Sequence, residues 1–131
     1  MAENSCFGCG EGNPQGLRLH FAQAEDGTVS AREKINEGFH GHPGYVHGGV
    51  LATILDEAMS KAIRATGRTA VTRKLASEYL RPTPTETPLL ISGKLLRVEG
   101  SKIWVEAKIE NERGKCLVRG EGLFIEVNPF Q

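Results

Sequence analysis

His47–Gly67 reads HGGVLATILDEAMSKAIRATG, and this stretch decides the fold. Val50, Leu51, Ile54, Leu55, Ala58, Met59, Ala62 and Ile63 recur at helical spacing. The segment is therefore read as one long helix with a broad apolar stripe. At about 100° per residue the stripe is centred near Leu51, Ala58 and Ala62, which sends Glu57 and Arg64 to the solvent side. Asp56 falls on the border of the stripe, in a row with Gly49, Ala52 or Thr53, and Ser60. A carboxylate flanked by small side chains lets another backbone or a thin ligand come close. The same pattern also describes a solvated border acid, or one paired with a surface cation.

Gly48 and Gly49 place bare N–H groups at the helix N-terminus, where no intrahelical acceptor exists and the helix dipole is positive. Such groups can hold a carbonyl oxygen as it gains negative charge. Asp56 lies two turns further on, roughly 10 Å from Gly49 along the axis. An electrophile at the glycines reaches the acid only by lying along the helix, or if the two come from opposite subunits. A tight turn explains Gly-Gly without any chemistry. For His47, capping or bracing the helix start is preferred to proton transfer.

Upstream, residues 1–15 form an irregular lead-in with Asn13-Pro14 as a turn signal, and a single domain is expected over 16–131. Gly16–Ala24 is read as a strand because Leu17, Leu19 and Phe21 alternate with Arg18, His20 and Ala22, which puts His20 on the solvent side. Glu25-Asp26-Gly27 turns the chain into a second strand, Thr28–Ile35, with Val29, Ala31, Glu33 and Ile35 on one face. Residues 36–46, rich in Gly and broken by Pro43, form a loop that carries His40 and His42 to the helix start. Such a loop is a natural place for a binding residue, and either imidazole is equally read as a plain surface histidine.

Downstream, Arg64 and Gly67 end the helix. A strand from Thr69 to Leu80 stops at Arg81-Pro82. Three more strands follow at Thr87–Val98, Lys102–Glu110 and Lys115–Val127. Gly120 and Gly122 inside the last strand let the helix sit tight against the sheet. The order is strand, strand, helix, four strands. One helix covers six antiparallel strands only if the sheet curls around it, so the class is α+β.

The chain has 131 residues, 39% hydrophobic and 24% charged, with 16 basic and 16 acidic side chains. That is one ordinary globular domain with no electrostatic case for nucleic acid or a membrane surface. No apolar run approaches the ~20 residues of a membrane span. The N-terminus lacks the pattern of a secretory signal, so the cytoplasm is the expected compartment. Three cysteines, Cys6, Cys9 and Cys116, argue against a disulfide framework. Cys6-Phe7-Gly8-Cys9 has the spacing of half a zinc site, but Cys116, His20, His40, His42 and His47 supply no clean second pair. A redox pair normally opens a helix after a strand. An ordinary structural turn is the preferred reading, with no metal and no cofactor.

HGG followed seven residues later by Asp, in HGGVLATILD, together with Ser77-Glu78-Tyr79-Leu80-Arg81-Pro82, resembles the hotdog-fold acyl-CoA thioesterases of the phenylacetyl-CoA (PaaI) type. The resemblance runs from about Gly16 to Val127. The string CFGCGEGNPQGLRL resembles the N-terminal segment of one branch of these proteins and is read as packing across a subunit seam. The resemblance implies one long helix wrapped by a curved antiparallel sheet of five to six strands. It also implies a homodimer, or a tetramer built as a dimer of dimers, with sites between subunits. The implied reaction is hydrolysis of an acyl-CoA thioester. Asp56 would act as general base or nucleophile, the Gly48 and Gly49 amides would polarise the carbonyl, and Thr72 would hold the water.

In the related enzymes a side-chain donor, often an amide, lies just upstream of HGG. Gly41 stands there between His40 and His42, so either histidine is a candidate for that role. Arg81, Arg73 and Arg64 are candidates for the phosphates of CoA. Tyr45, Met59 and Trp104 are expected to shape the acyl pocket. A non-hydrolytic acyl-CoA binding module is the alternative. A hydroxyacyl-thioester dehydratase is less favoured, because His47 and Asp56 are not spaced as in that family.

Overall fold

The computed structural model describes residues 4–128. Its elements are β1 (Ala22–Gln23), β2 (Val29–Lys34), a 3-10 turn at Glu37–Phe39, α1 (Gly48–Arg64), β3 (Ala70–Tyr79), β4 (Pro88–Glu99), β5 (Lys102–Glu110) and β6 (Cys116–Glu126). The strands form one six-stranded sheet in the order β1-β2-β4-β5-β6-β3. Every neighbouring pair is antiparallel. The sheet curls so that α1 packs against β2, β3, β4, β5 and β6. This is the hotdog arrangement expected from the sequence.

The apolar stripe becomes the core. Leu51, Ile54, Leu55, Ala58, Met59, Ala62 and Ile63 are buried on α1, against Ile91, Ile103, Val105, Ile109, Val118 and Phe124 of the sheet. Three strand glycines let the helix come close. A Cβ on Gly93 would lie 2.5 Å from the Ala58 carbonyl oxygen, and one on Gly122 would lie 2.7 Å from Met59 Sδ. Gly120 meets Leu55 in the same way, at 3.1 Å. The helix stops where expected, with Gly67 at φ 83° donating its N–H to Arg64 O.

Two expectations are corrected. The first strand shrinks to Ala22–Gln23. Arg18 sits at φ 54°, which no strand tolerates, and the N–H groups of Leu17 and Leu19 donate to Phe7 and Gly8 of the lead-in. The alternation of Leu17, Leu19 and Phe21 reflects packing under that loop; Leu19 is buried, while His20 is exposed as expected. The second correction is Glu57. Its side chain is only 13% exposed, because the lead-in folds over it and covers the polar side of the helix. The lead-in therefore packs on its own chain's helix.

Candidate active site

His47 is the N-cap of α1, with its Nδ1 accepting the Gly49 N–H at 2.9 Å. The two glycine amides are therefore unequal. Gly49 is capped, whereas the Gly48 N–H has no acceptor among the described residues. Tyr79, at the end of β3, donates its hydroxyl to Gly48 O at 3.0 Å, and Thr53 donates to Gly49 O at 3.1 Å. These contacts fix the helix start. Sequence alone gives Tyr79 no role of its own; its signal there is its place in the Ser77-Glu78-Tyr79-Leu80-Arg81-Pro82 motif at the end of the strand.

The loop before α1 is tied down as well. His47 N–H donates to Phe39 O, Gly41 N–H to Tyr45 O, and Val46 N–H to Thr83 O. His40 is held locally, its Nδ1 against Glu37 O. His42 instead lines an open groove of about 540 Å³ beside Gly48, with Tyr45, Leu51, Tyr79, Leu80 and Arg81. The Thr83 hydroxyl is buried at the same groove and has no partner among the described residues.

Asp56 forms the second cluster. It is half-buried in the middle of α1, and Thr72 Oγ1 donates to its Oδ1 at 2.6 Å. The β3–β6 register skips Arg73, which bulges out between Thr72 and Lys74. A bulge re-aims the side chains beside it. Arg73 and Arg81 are exposed, and neither is ion-paired among the described residues. Along the helix, Asp56 is about 12 Å from Gly48.

The site residues thus fall into two groups at different heights on one helix. Gly48, His42, His47 and Arg81 gather at its start, and Asp56 with Thr72 two turns on. Of the residues expected to shape an acyl pocket, Tyr45 lines the groove. Met59 is fully buried in the core, and Trp104 lies under the Arg97 guanidinium, 3.9 Å from the ring centroid.

Residues 43–118, more than half of the chain, match the model of the Thioesterase superfamily. The chain belongs to that superfamily. The matched span covers α1, Asp56, Thr72 and the groove residues other than His42. The mouse acyl-coenzyme A thioesterase THEM4 is 32% identical over 122 residues, which is 88% of this chain and 51% of the mouse protein. The chain thus spans about half the length of that thioesterase. A solved thioesterase superfamily protein superposes with a TM-score of 0.89 at 34% identity, covering 93% of this chain and 63% of that one. A Bacillus halodurans protein solved with CoA superposes with a TM-score of 0.75 at 27% identity, covering 86% of this chain and 76% of that one. No described helix is long and apolar enough to cross a membrane.

Proposed function

We propose that this chain hydrolyses an acyl-CoA thioester to the free acid and CoA, as a PaaI-type member of the superfamily. The observation that carries the reading is the Asp56–Thr72 hydrogen bond beside a bulge, on the small-residue border of α1. Membership of the Thioesterase superfamily and similarity to THEM4 support the substrate class.

In the proposed site two copies of the chain cooperate. Among the described residues β3 is an edge of the sheet, with β6 as its only strand neighbour, and Val71 and Tyr79 are exposed along it, with Leu80 just beyond. An unpaired, partly apolar edge of this length favours pairing with a second copy. Such a homodimer, alone or doubled into a tetramer, would bring the helix start of one subunit towards Asp56 of the other. The Gly48 N–H then donates to the thioester carbonyl, aided by the helix dipole. Gly49 contributes through the cap that orients this turn. Thr72 accepts from the attacking water while donating to Asp56. Asp56 either takes the proton from that water as it attacks the carbonyl, or attacks the carbonyl itself to form an acyl-Asp56 anhydride that the water then cleaves to the free acid; in both cases the CoA thiolate leaves and is protonated. Arg81 and Arg73 are free to meet phosphates, and His42 lies closer to the groove than His40.

The test offers purified protein a panel of acyl-CoA thioesters with a thiol-reactive chromophore. Release of CoA by the wild type and not by Asp56→Asn supports hydrolysis. Saturable CoA binding without turnover replaces it with a binding module.

A further inference from the structure

The lead-in turn carries chemistry that the thioesterase reading does not use. Gly10 N–H donates to Cys6 O at 2.8 Å, which closes Cys6-Phe7-Gly8-Cys9 into a tight turn. Two further bonds fasten it, Leu17 N–H to Phe7 O at 2.7 Å and Leu19 N–H to Gly8 O at 2.9 Å. Phe7 also meets Phe39 edge-on, with centroids 6.4 Å apart. Gly8 lies directly over Glu57, where a Cβ would fall 2.5 Å from Oε2. With no side chain of its own, Gly8 leaves that carboxylate where it stands; a Cβ there would displace it. As a result Cys6 Sγ, Cys9 Sγ and a Glu57 carboxylate oxygen all lie within 4.8 Å of one another.

We propose that Cys6, Cys9 and Glu57 bind a thiophilic divalent cation, with Zn2+ the best fit, and that the ion clamps the lead-in to α1. Two sulfurs and one carboxylate suit zinc, and three protein ligands leave a fourth tetrahedral position for water. Tetrahedral zinc holds such atoms roughly 3.4–3.8 Å apart, so from separations within 4.8 Å the trio closes by about 1.4 Å at most. Binding forms two Zn–S bonds and one Zn–O bond and releases the two thiol protons to solvent.

Charge favours the same occupant. Two thiolates and a carboxylate carry three negative charges. The dication supplies two positive ones, and Lys61 supplies the third. Its Nζ lies 3.7 Å from Glu57 Oε1 and 3.2 Å from Cys9 Sγ, so it donates to a ligand sulfur. Spacing of cysteines and histidines does not reveal such a site, because the third ligand is a carboxylate on the helix. The inference does not rest on the hydrolytic reading.

The test is a Co2+ titration of reduced, chelator-treated full-length protein, followed by displacement with Zn2+. The expected result is one equivalent bound per chain, with thiolate-to-cobalt charge-transfer absorption that Zn2+ removes. Cys9→Ser and Glu57→Gln should each weaken binding by about tenfold or more, whereas Cys116→Ser leaves it unchanged. Alkylating the wild-type thiols beforehand should abolish binding, which keeps the test independent of how the variants fold. Bound Zn2+ should also slow proteolysis of the lead-in. The proposal is overturned if the reduced protein takes up no metal, if the cobalt spectrum lacks the thiolate band, or if Glu57→Gln binds as tightly as the wild type. A Cys6–Cys9 disulfide in a protein that takes up no metal when reduced would overturn it equally.

Discussion

Thr72 Oγ1 donates to Asp56 Oδ1 across 2.6 Å, joining the edge strand β3 to the middle of α1. A hydroxyl that donates to the acid keeps its lone pairs for a water, so the pair can aim a nucleophile as well as orient the carboxylate. Asp56→Asn keeps the shape and removes the base. It should lower kcat for thioester hydrolysis by about 10²–10⁴-fold while leaving CoA binding within a few-fold. Thr72→Ala should cost less, about tenfold, and Thr72→Ser should restore most of it. Steady-state kinetics with calorimetric CoA binding checks this. An Asp56→Asn enzyme of undiminished kcat would remove Asp56 from the mechanism.

The close approach of helix to sheet predicts a stability effect at Gly93. Its missing side chain faces the Ala58 carbonyl oxygen at 2.5 Å, and that neighbour is backbone and cannot rotate away. Gly93→Ala must push α1 off the sheet, and overpacking of this kind costs about 1–3 kcal/mol. Urea denaturation should show the loss. At Gly48 nothing lies within 4 Å of the added Cβ, so Gly48→Ala should unfold within about 1 kcal/mol of the wild type. Equal midpoints for Gly93→Ala and the wild type would mean that the packing is looser than described.

The architecture was legible because α1 depends on a local repeat. Eight apolar residues at helical spacing define the helix, and alternation defines β2 and β5, with turn residues marking off β4 and β6. The misreadings share one cause, a contact from distant chain. Leu17 and Leu19 alternate like a strand but bond to the lead-in, and Glu57 looks solvated until residues 6–9 fold over it. In the site, His47 as a cap was readable from its position, and the split between Gly48 and Gly49 was not, because it depends on the imidazole's rotamer. Thr72 was named through family resemblance alone; spacing cannot show that a bulge at Arg73 lies beside it.

The exposed edge predicts an assembly. Val71 is 55% exposed on β3, which among the described residues has one neighbour in the sheet. If a second copy pairs there, Val71→Asp places like charges near the two-fold axis and buries them. The variant should sediment as a monomer and lose thioester hydrolysis, because each proposed site draws on both chains. Sedimentation velocity and the thiol-release assay read the two effects together. A monomeric variant with full activity would refute the shared site without disturbing the fold.

The two lead-in thiols should differ in reactivity. The backbone N–H of Cys9 favours the Cys6 thiolate and holds that thiol below its ordinary value. Burial, reinforced by Glu57, pushes the Cys9 thiol up. A lowered value keeps the thiolate present to lower pH, and a raised value delays it to higher pH. Since the thiolate is the nucleophile, metal-free reduced protein should be alkylated by iodoacetamide at Cys6 first near neutral pH. Cys9 should catch up as the pH rises through its own elevated value, and the difference should vanish in urea, where both thiols are ordinary. Peptide mass spectrometry across a pH series measures both rates. If Cys9 reacts first in the folded protein, the turn does not sit over Glu57 and Lys61 as described.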